Sequence, residues 1–166
     1  QKLGLSDLQS GYLFLGSAFG IAGGSLLAAR ISGKQVELGL VPLGGLGMTA
    51  AALLLQLIPA SLYLVVASIL LFGVSAGLFS LPLQTFIQLR ADASLRGEVL
   101  AASSFSNWIG ILIASAVTFL FSGPLQLTAA QGFGCMGIMN LLTVVLLIRY
   151  QPELLVRCMA LLQRRC

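Results

Sequence analysis

A few uncharged polar side chains stand inside long apolar runs of this 166-residue chain: Gln84, Thr85, Gln88, Asn107, Thr118, Gln131 and Asn140. None of them ionises near neutral pH, so the chemistry open to them is hydrogen bonding. Two uses of it fit the spacing: a bond to a neighbouring helix, or a polar point along a path between helices. Gln84, Gln88, Asn107, Thr118 and Asn140 are the candidates for lining such a path. Covalent chemistry has no comparable support. The chain contains no histidine, and its five acids are scattered at Asp7, Glu37, Asp92, Glu98 and Glu153. Cys135, Cys158 and Cys166 match neither a metal-binding spacing nor a disulfide framework. No catalytic residue, metal site or cofactor is therefore predicted, and this segment is not expected to be an enzyme.

The second group able to do chemistry is basic. In "GSLLAARISGKQVELGL", Gly24 to Leu40, the residues Arg30, Lys34 and Glu37 interrupt two apolar runs. A phosphate-cradling loop would need the order G-x-x-x-x-G-K-[ST] after a strand. Here Gly33 and Lys34 are followed by Gln35, and no strand pattern precedes them. The stretch reads instead as a helix end, a glycine turn and a new helix. A similar corner follows at Arg90, Arg96 and Gly97.

The elements that must position these residues are set by composition. Hydrophobic residues make up 58% of the chain and charged residues 8%, against about 25% charged in a usual soluble domain. The apolar runs have membrane-spanning length and lack the short alternating segments of a barrel. The predicted fold is all-α and integral to a membrane, with spans at about 7–30, 36–58, 61–89, 97–122 and 127–149. Ser6 is a candidate N-cap for the first, and Pro59, Gly123-Pro124 and Pro152 stop the second, fourth and fifth. Residues 1–150 then form a partial bundle. Residues 151–166 form an amphipathic linker, read either as a helix lying at the interface or as an extension of the fifth span. On the interfacial reading, Leu154, Leu155, Cys158, Leu161 and Leu162 share a face, with Arg157, Arg164 and Arg165 outside it.

Charge orients the spans. Eight of the 9 basic residues follow the first, third and fifth spans, and only Lys2 lies on the other side. By the positive-inside rule the basic side is cytoplasmic, which places the N-terminus outside and the C-terminus inside. The net charge of +4 is thereby explained by topology, with no nucleic-acid partner. Small residues recur at helical spacing: Gly16, Gly20 and Gly24 on the first span, Gly73 and Gly77 on the third, Gly110 and Ala114 on the fourth. Such rows permit close backbone approach, for packing or for sliding. Pro82 lies inside the third span, where it removes a backbone bond and predicts a kink near Ser80–Leu83.

With these features in place, two stretches resemble signatures of the major facilitator superfamily. "GSLLAARISGKQ" is similar to its cytoplasmic loop motif, and "GVSAGLFSLPLQTFIQLRADASLRGEVLAA" to the Gly-rich helix and Arg-Gly corner that follow. The resemblance implies a transporter of twelve spans in two halves, with the present helices equivalent to spans 8–12 and the N-terminal half missing. It assigns a gating role to Gly24, Arg30, Gly33, Lys34, Glu37, Arg96 and Gly97. Ala29 stands where the motif carries an acid, and the Arg30 to Gly33 spacing is one residue longer than usual, so Glu37 or Glu98 would have to complete the ion pair. "ISGKQVELGLVPLG", "PLQTFIQLRA" and "RGEVLAASSFSNWIGILIAS" resemble the lysophospholipid transporter branch, although Ser103 and Ser104 stand where that branch favours asparagine. That branch implies inward flipping of lysophospholipid across the bacterial inner membrane, with membrane lipid as partner. In some of its members an acyltransferase domain is fused downstream. Two other functions fit the same spans: export of a drug or small metabolite, and a non-transporting anchor for a fused phospholipid acyltransferase.

Overall fold

The computed structural model describes residues 7–33, 36–57 and 61–163, with side chains over 11–33, 36–57, 61–154, 156, 158 and 159. Ser6, Lys34, Pro59, Arg164, Arg165 and Cys166 lie outside the described residues, as do the side chains of Leu155, Arg157, Leu161 and Leu162. Six helices follow one another: α1 (Asp7–Ser32), α2 (Leu40–Leu57), α3 (Leu62–Arg90), α4 (Arg96–Ser122), α5 (Ala129–Tyr150) and α6 (Pro152–Gln163). No strand occurs among the described residues. The first five helices are long and apolar enough to cross a membrane. Even α2, with 18 residues, reaches about 27 Å at 1.5 Å per residue, close to the hydrocarbon thickness of a bilayer.

Local chemistry sets the ends. Gly33 closes α1 in the left-handed region at φ 54°, where a side chain would be strained, and its N–H donates to the Ala29 carbonyl at 3.2 Å. The α2 helix begins at Leu40, four residues later than the span predicted from hydropathy. Pro42 explains the delay: in the first turn its missing N–H costs nothing, whereas a helix begun at Val36 would bury it in the interior. Leu38 and Gly39 form a turn instead, with Leu40 N–H donating to the Glu37 carbonyl at 3.2 Å. At the start of α5 the Thr128 side chain accepts the Gln131 N–H while the Gln131 side chain accepts the Thr128 N–H, a reciprocal capping box. Between α5 and α6 the chain breaks at Gln151, and Pro152 opens the new helix at the position where proline fits best. The linker is thus a separate helix, seated against α2 and α5.

The spatial order of the helices is α1, α3, α2, α5, so α3 lies between α1 and α2. Close backbone approach makes both of its interfaces. On one side Gly20 and Gly24 of α1 cross Gly73 and Gly77 of α3 in parallel. A Cβ on Gly73 would lie 2.6 Å from the Ser17 carbonyl oxygen, and one on Gly24 would strike Val74. On the other side Gly44 of α2 meets the backbone of Ser75 and Phe79, where an added Cβ would lie 2.7 Å from both. The α2–α5 interface is antiparallel, with Gly45 against Val144, Ala52 against Gly137 and Gln56 against Gly134. Dispersion between closely spaced backbones, rather than burial of bulky side chains, holds such a bundle. The buried apolar residues are correspondingly few and small: Ala28, Leu40, Val41, Ala51, Ala52 and Val144.

One helix departs from this pattern. The α4 helix has 27 residues and none buried, and it touches α3 and α5 only sparingly. Trp108, Leu112 and Phe119 stand 65–70% exposed.

Candidate functional site

Three places gather the polar residues singled out by the sequence. The first is deep in the bundle. Asn140 on α5 donates through Nδ2 to the Gly45 carbonyl at 2.9 Å and to Thr49 Oγ1 at 2.9 Å. The Thr49 hydroxyl in turn donates to the Gly45 carbonyl at 3.1 Å. Both partners lie on α2, so the amide of Asn140 ties the two helices together near their middle. Thr49 is buried, as are Ser68 and Ser75 on α3, and no buried side-chain N or O atom is without a partner among the described residues. The Asn140 donors are thus committed to structure rather than presented to a path.

The second place is the α4 face. Its partly covered residues, Val99, Ser103, Val117 and Phe121, fall on one helical stripe. Asn107, Gly110 and Ala114 continue that stripe through the middle of the helix, where all three are exposed. Gly110 has no neighbour within 4 Å of a built Cβ, and no hydrogen-bond partner is found for the Asn107 amide among the described residues. Thr118 is exposed too, and its hydroxyl folds back onto the Ala114 carbonyl at 2.8 Å. Ser106, Ser115 and Ser122 satisfy themselves the same way. Asn107 is therefore the amide of α4 whose polarity is left without use among the described residues, where Ser103 and Ser104 likewise show no side-chain hydrogen bond.

The third place is the end of the bundle that carries Arg30, Arg90, Arg96 and Arg149. Gly24 is buried against Val74, Arg30 is exposed, and Glu37, half-buried, donates its backbone N–H to Ser32 Oγ at 3.5 Å. Among the described residues no arginine–carboxylate ion pair closes this corner. The Arg90 guanidinium lies over the Phe86 ring instead, 5.4 Å from its centre. Two cavities flank the last turns of α3. One, of about 300 Å³, lies under the α1–α2 link and is walled by Ala29, Gly33, Val36, Leu81 and Pro82. The other, of about 200 Å³, lies between the end of α3 and the start of α4 and brings Gln88 and Arg96 together above Leu89, Val99 and Leu100. Gly97 beside it has nothing within 4 Å of a built Cβ.

The remaining candidates are placed more simply. Gln84 is exposed on α3 and shares neither cavity. Gly16 has no neighbour within 4 Å of a built Cβ, unlike Gly20, Gly73 and Gly77. Pro82 is fully buried inside an unbroken α3 and forms part of the larger cavity's wall. Gln131 belongs to the α5 cap, not to a path. Sequence reasoning missed the α2 residues Gly44, Gly45, Gly47 and Thr49, although the run "GGLGMT" carries the small-residue signal. It also missed the T-x-x-Q capping signature at Thr128. The described residues contain no metal-binding group of His, Cys, Asp or Glu side chains.

Comparison with known proteins returns no matching family model, no matching curated protein and no matching solved structure.

Proposed function

We propose that this chain is part of a membrane transporter that works by alternating access and moves a lysophospholipid inward across a bacterial inner membrane. The observation that carries the reading is α4. A helix of membrane-spanning length has a small and polar stretch of one stripe, Asn107, Gly110 and Ala114, that stands exposed on this chain. In a bilayer an unpaired amide at mid-span is costly, and small residues at such spacing are packing faces. The stripe calls for a further helix, as the missing half of a two-part transporter would supply. The loop motif at Gly24–Lys34 and the bias of basic residues to one end support the same topology, with the Arg30, Arg90 and Arg96 end cytoplasmic.

Lysophospholipid suits the sparse polar lining. One headgroup needs a few hydrogen-bonding points, and its single chain can stay against apolar helix faces; a sugar would need polar contacts on every side. With Asn140 tied to Thr49 and Gly45, the path would be served by Asn107 and by Gln84 and Gln88 on α3. The experiment is transport by the full-length gene product in proteoliposomes. Labelled lysophospholipid added outside should become protected from extraction by albumin only when the protein is present. Folded protein that protects no lysophospholipid, yet moves a soluble drug or metabolite, would replace this cargo with that one. Protection that persists without protein would refute the reading.

A further inference from the structure

We propose that the cavity between the end of α3 and the start of α4 is a binding site for a resident anionic phospholipid, held by its phosphate. The cavity measures about 200 Å³ and has two chemically distinct parts. Its polar rim is Arg96 and Gln88; the Thr85 hydroxyl, also at the cavity, is already spent on the Leu81 carbonyl at 2.9 Å. Arg96 presents a planar fork of donors that matches two oxygens of a phosphate, and Gln88 adds an amide donor beside it. No carboxylate neutralises Arg96 among the described residues. No side chain caps the start of α4, although Glu98 stands in its first turn and offsets part of the helix-end charge, so the anion contact rests on Arg96 and Gln88.

The rest of the wall is apolar. Leu89 and Leu100 line the cavity and are at the same time 65% and 43% exposed, so they continue the site outward along the surface. A ligand that fits both parts carries a compact anion at one end and hydrocarbon at the other. Free phosphate would use the rim and leave the leucines bare. A zwitterionic lipid would bring its own cation against Arg96. The site lies at the last turn of α3, which on the span reading is the headgroup level of the leaflet facing the basic end. Basic pockets between helices at that level are suited to anionic lipid headgroups. The exposed middle of the α4 stripe begins at Asn107, about 10 Å further along the helix and seven residues beyond Leu100. The lipid is resident rather than cargo; because Gln88 also stands among the proposed path residues, the site is tested by lipid binding and not by transport.

The test uses the full chain, delipidated in detergent and titrated with phosphatidylglycerol or phosphatidylcholine of identical chains under native mass spectrometry. One phosphatidylglycerol should bind at concentrations where phosphatidylcholine does not. Arg96→Gln should weaken it about fivefold, and Gln88→Leu should weaken it to a lesser degree. Arg149→Gln, at the same end but on α5 and outside the cavity, should leave it unchanged. Far-UV circular dichroism would establish that each variant is folded. Equal binding of the two lipids, unchanged binding by Arg96→Gln, or an equal loss with Arg149→Gln would each overturn the site. Displacement of the lipid by millimolar inorganic phosphate would reassign it to the free anion and overturn the lipid.

Discussion

Replacing Asn140 by leucine isolates the tie between α2 and α5. The side chains share a branched four-atom skeleton, so the substitution removes polarity while keeping the shape, with leucine the bulkier of the two. Two hydrogen bonds are lost, those to the Gly45 carbonyl and to Thr49 Oγ1 at 2.9 Å each. Interhelical bonds between membrane helices average about 0.6 kcal/mol, so the loss should be about 1.2 kcal/mol. No donor is orphaned on α2, because the Thr49 hydroxyl keeps its bond to Gly45; the larger penalty of an unsatisfied buried group therefore does not arise. Thr49→Val removes one of the two acceptors, loses the hydroxyl's own bond to Gly45 and leaves an Asn140 N–H without that partner, so it should cost at least as much. The double variant should fall short of the sum of the singles by about 0.6 kcal/mol, the energy of the shared bond. Cys135, half-buried on α5 beside Gly134, supplies the assay. In a background with Cys158 and Cys166 changed to serine, pulse alkylation of Cys135 during a titration with dodecyl sulfate follows the opening of the α2–α5 interface. An Asn140→Leu midpoint within about 0.3 kcal/mol of the parent, the usual error of such comparisons, would show that the amide does not hold these helices together.

Three further outcomes are expected. Gly24→Leu should separate α1 from α3, since even a Cβ there strikes Val74; a cross-link between cysteines placed on the two helices should be lost, while Gly16→Leu, with open space around it, should keep it. Thr128→Ala should cost about 1 kcal/mol through loss of the α5 cap, measurable by the same titration, and Thr128→Ser should restore most of it. Burial pushes the Cys158 thiol on α6 above its ordinary range. The reactive thiolate is thus scarcer at a given pH, and alkylation of Cys158 should reach its half-maximal rate at higher pH than that of a free cysteine. A profile at or below the free-cysteine profile would contradict the burial of its sulfur.

Much of the architecture was legible because helix ends are local events. Pro152, Gly123-Pro124 and Gly33 stop or start helices through their own backbone chemistry, and hydropathy alone marks five long helices. Pro42 shows where hydropathy falls short: the residues before it are apolar enough to join α2, but a proline that far inside would break the helix. The candidate site was less legible because it depends on pairs distant in sequence. Nothing near Asn140 announces that Thr49, 91 residues away, takes up its amide. Equally, the row Gly16, Gly20, Gly24 has a perfect period, yet only its last two members meet α3; where two helices cross is set by tertiary geometry, not by the period. Gln131 was readable as a polar group within the fifth span, where it stands in α5, but its partner in the cap, Thr128, was not.

The position of α3 bears on how the chain assembles. The helices lie in the order α1, α3, α2, α5, so α1 and α2, consecutive in the sequence, do not become neighbours. The α1 helix has its glycine face unmatched until α3 is made, and α2 must leave room on its flank for a helix that follows it. Assembly cannot proceed by adding each new helix to the edge of the last, because α3 has to wedge between two that already exist. The α2 helix must then hold its other flank open through the synthesis of α4 until α5 arrives. Among these helices, a ribosome stalled after α2 should therefore present α1 and α2 unassociated with each other, and their joint packing should appear only once Arg90 has been passed.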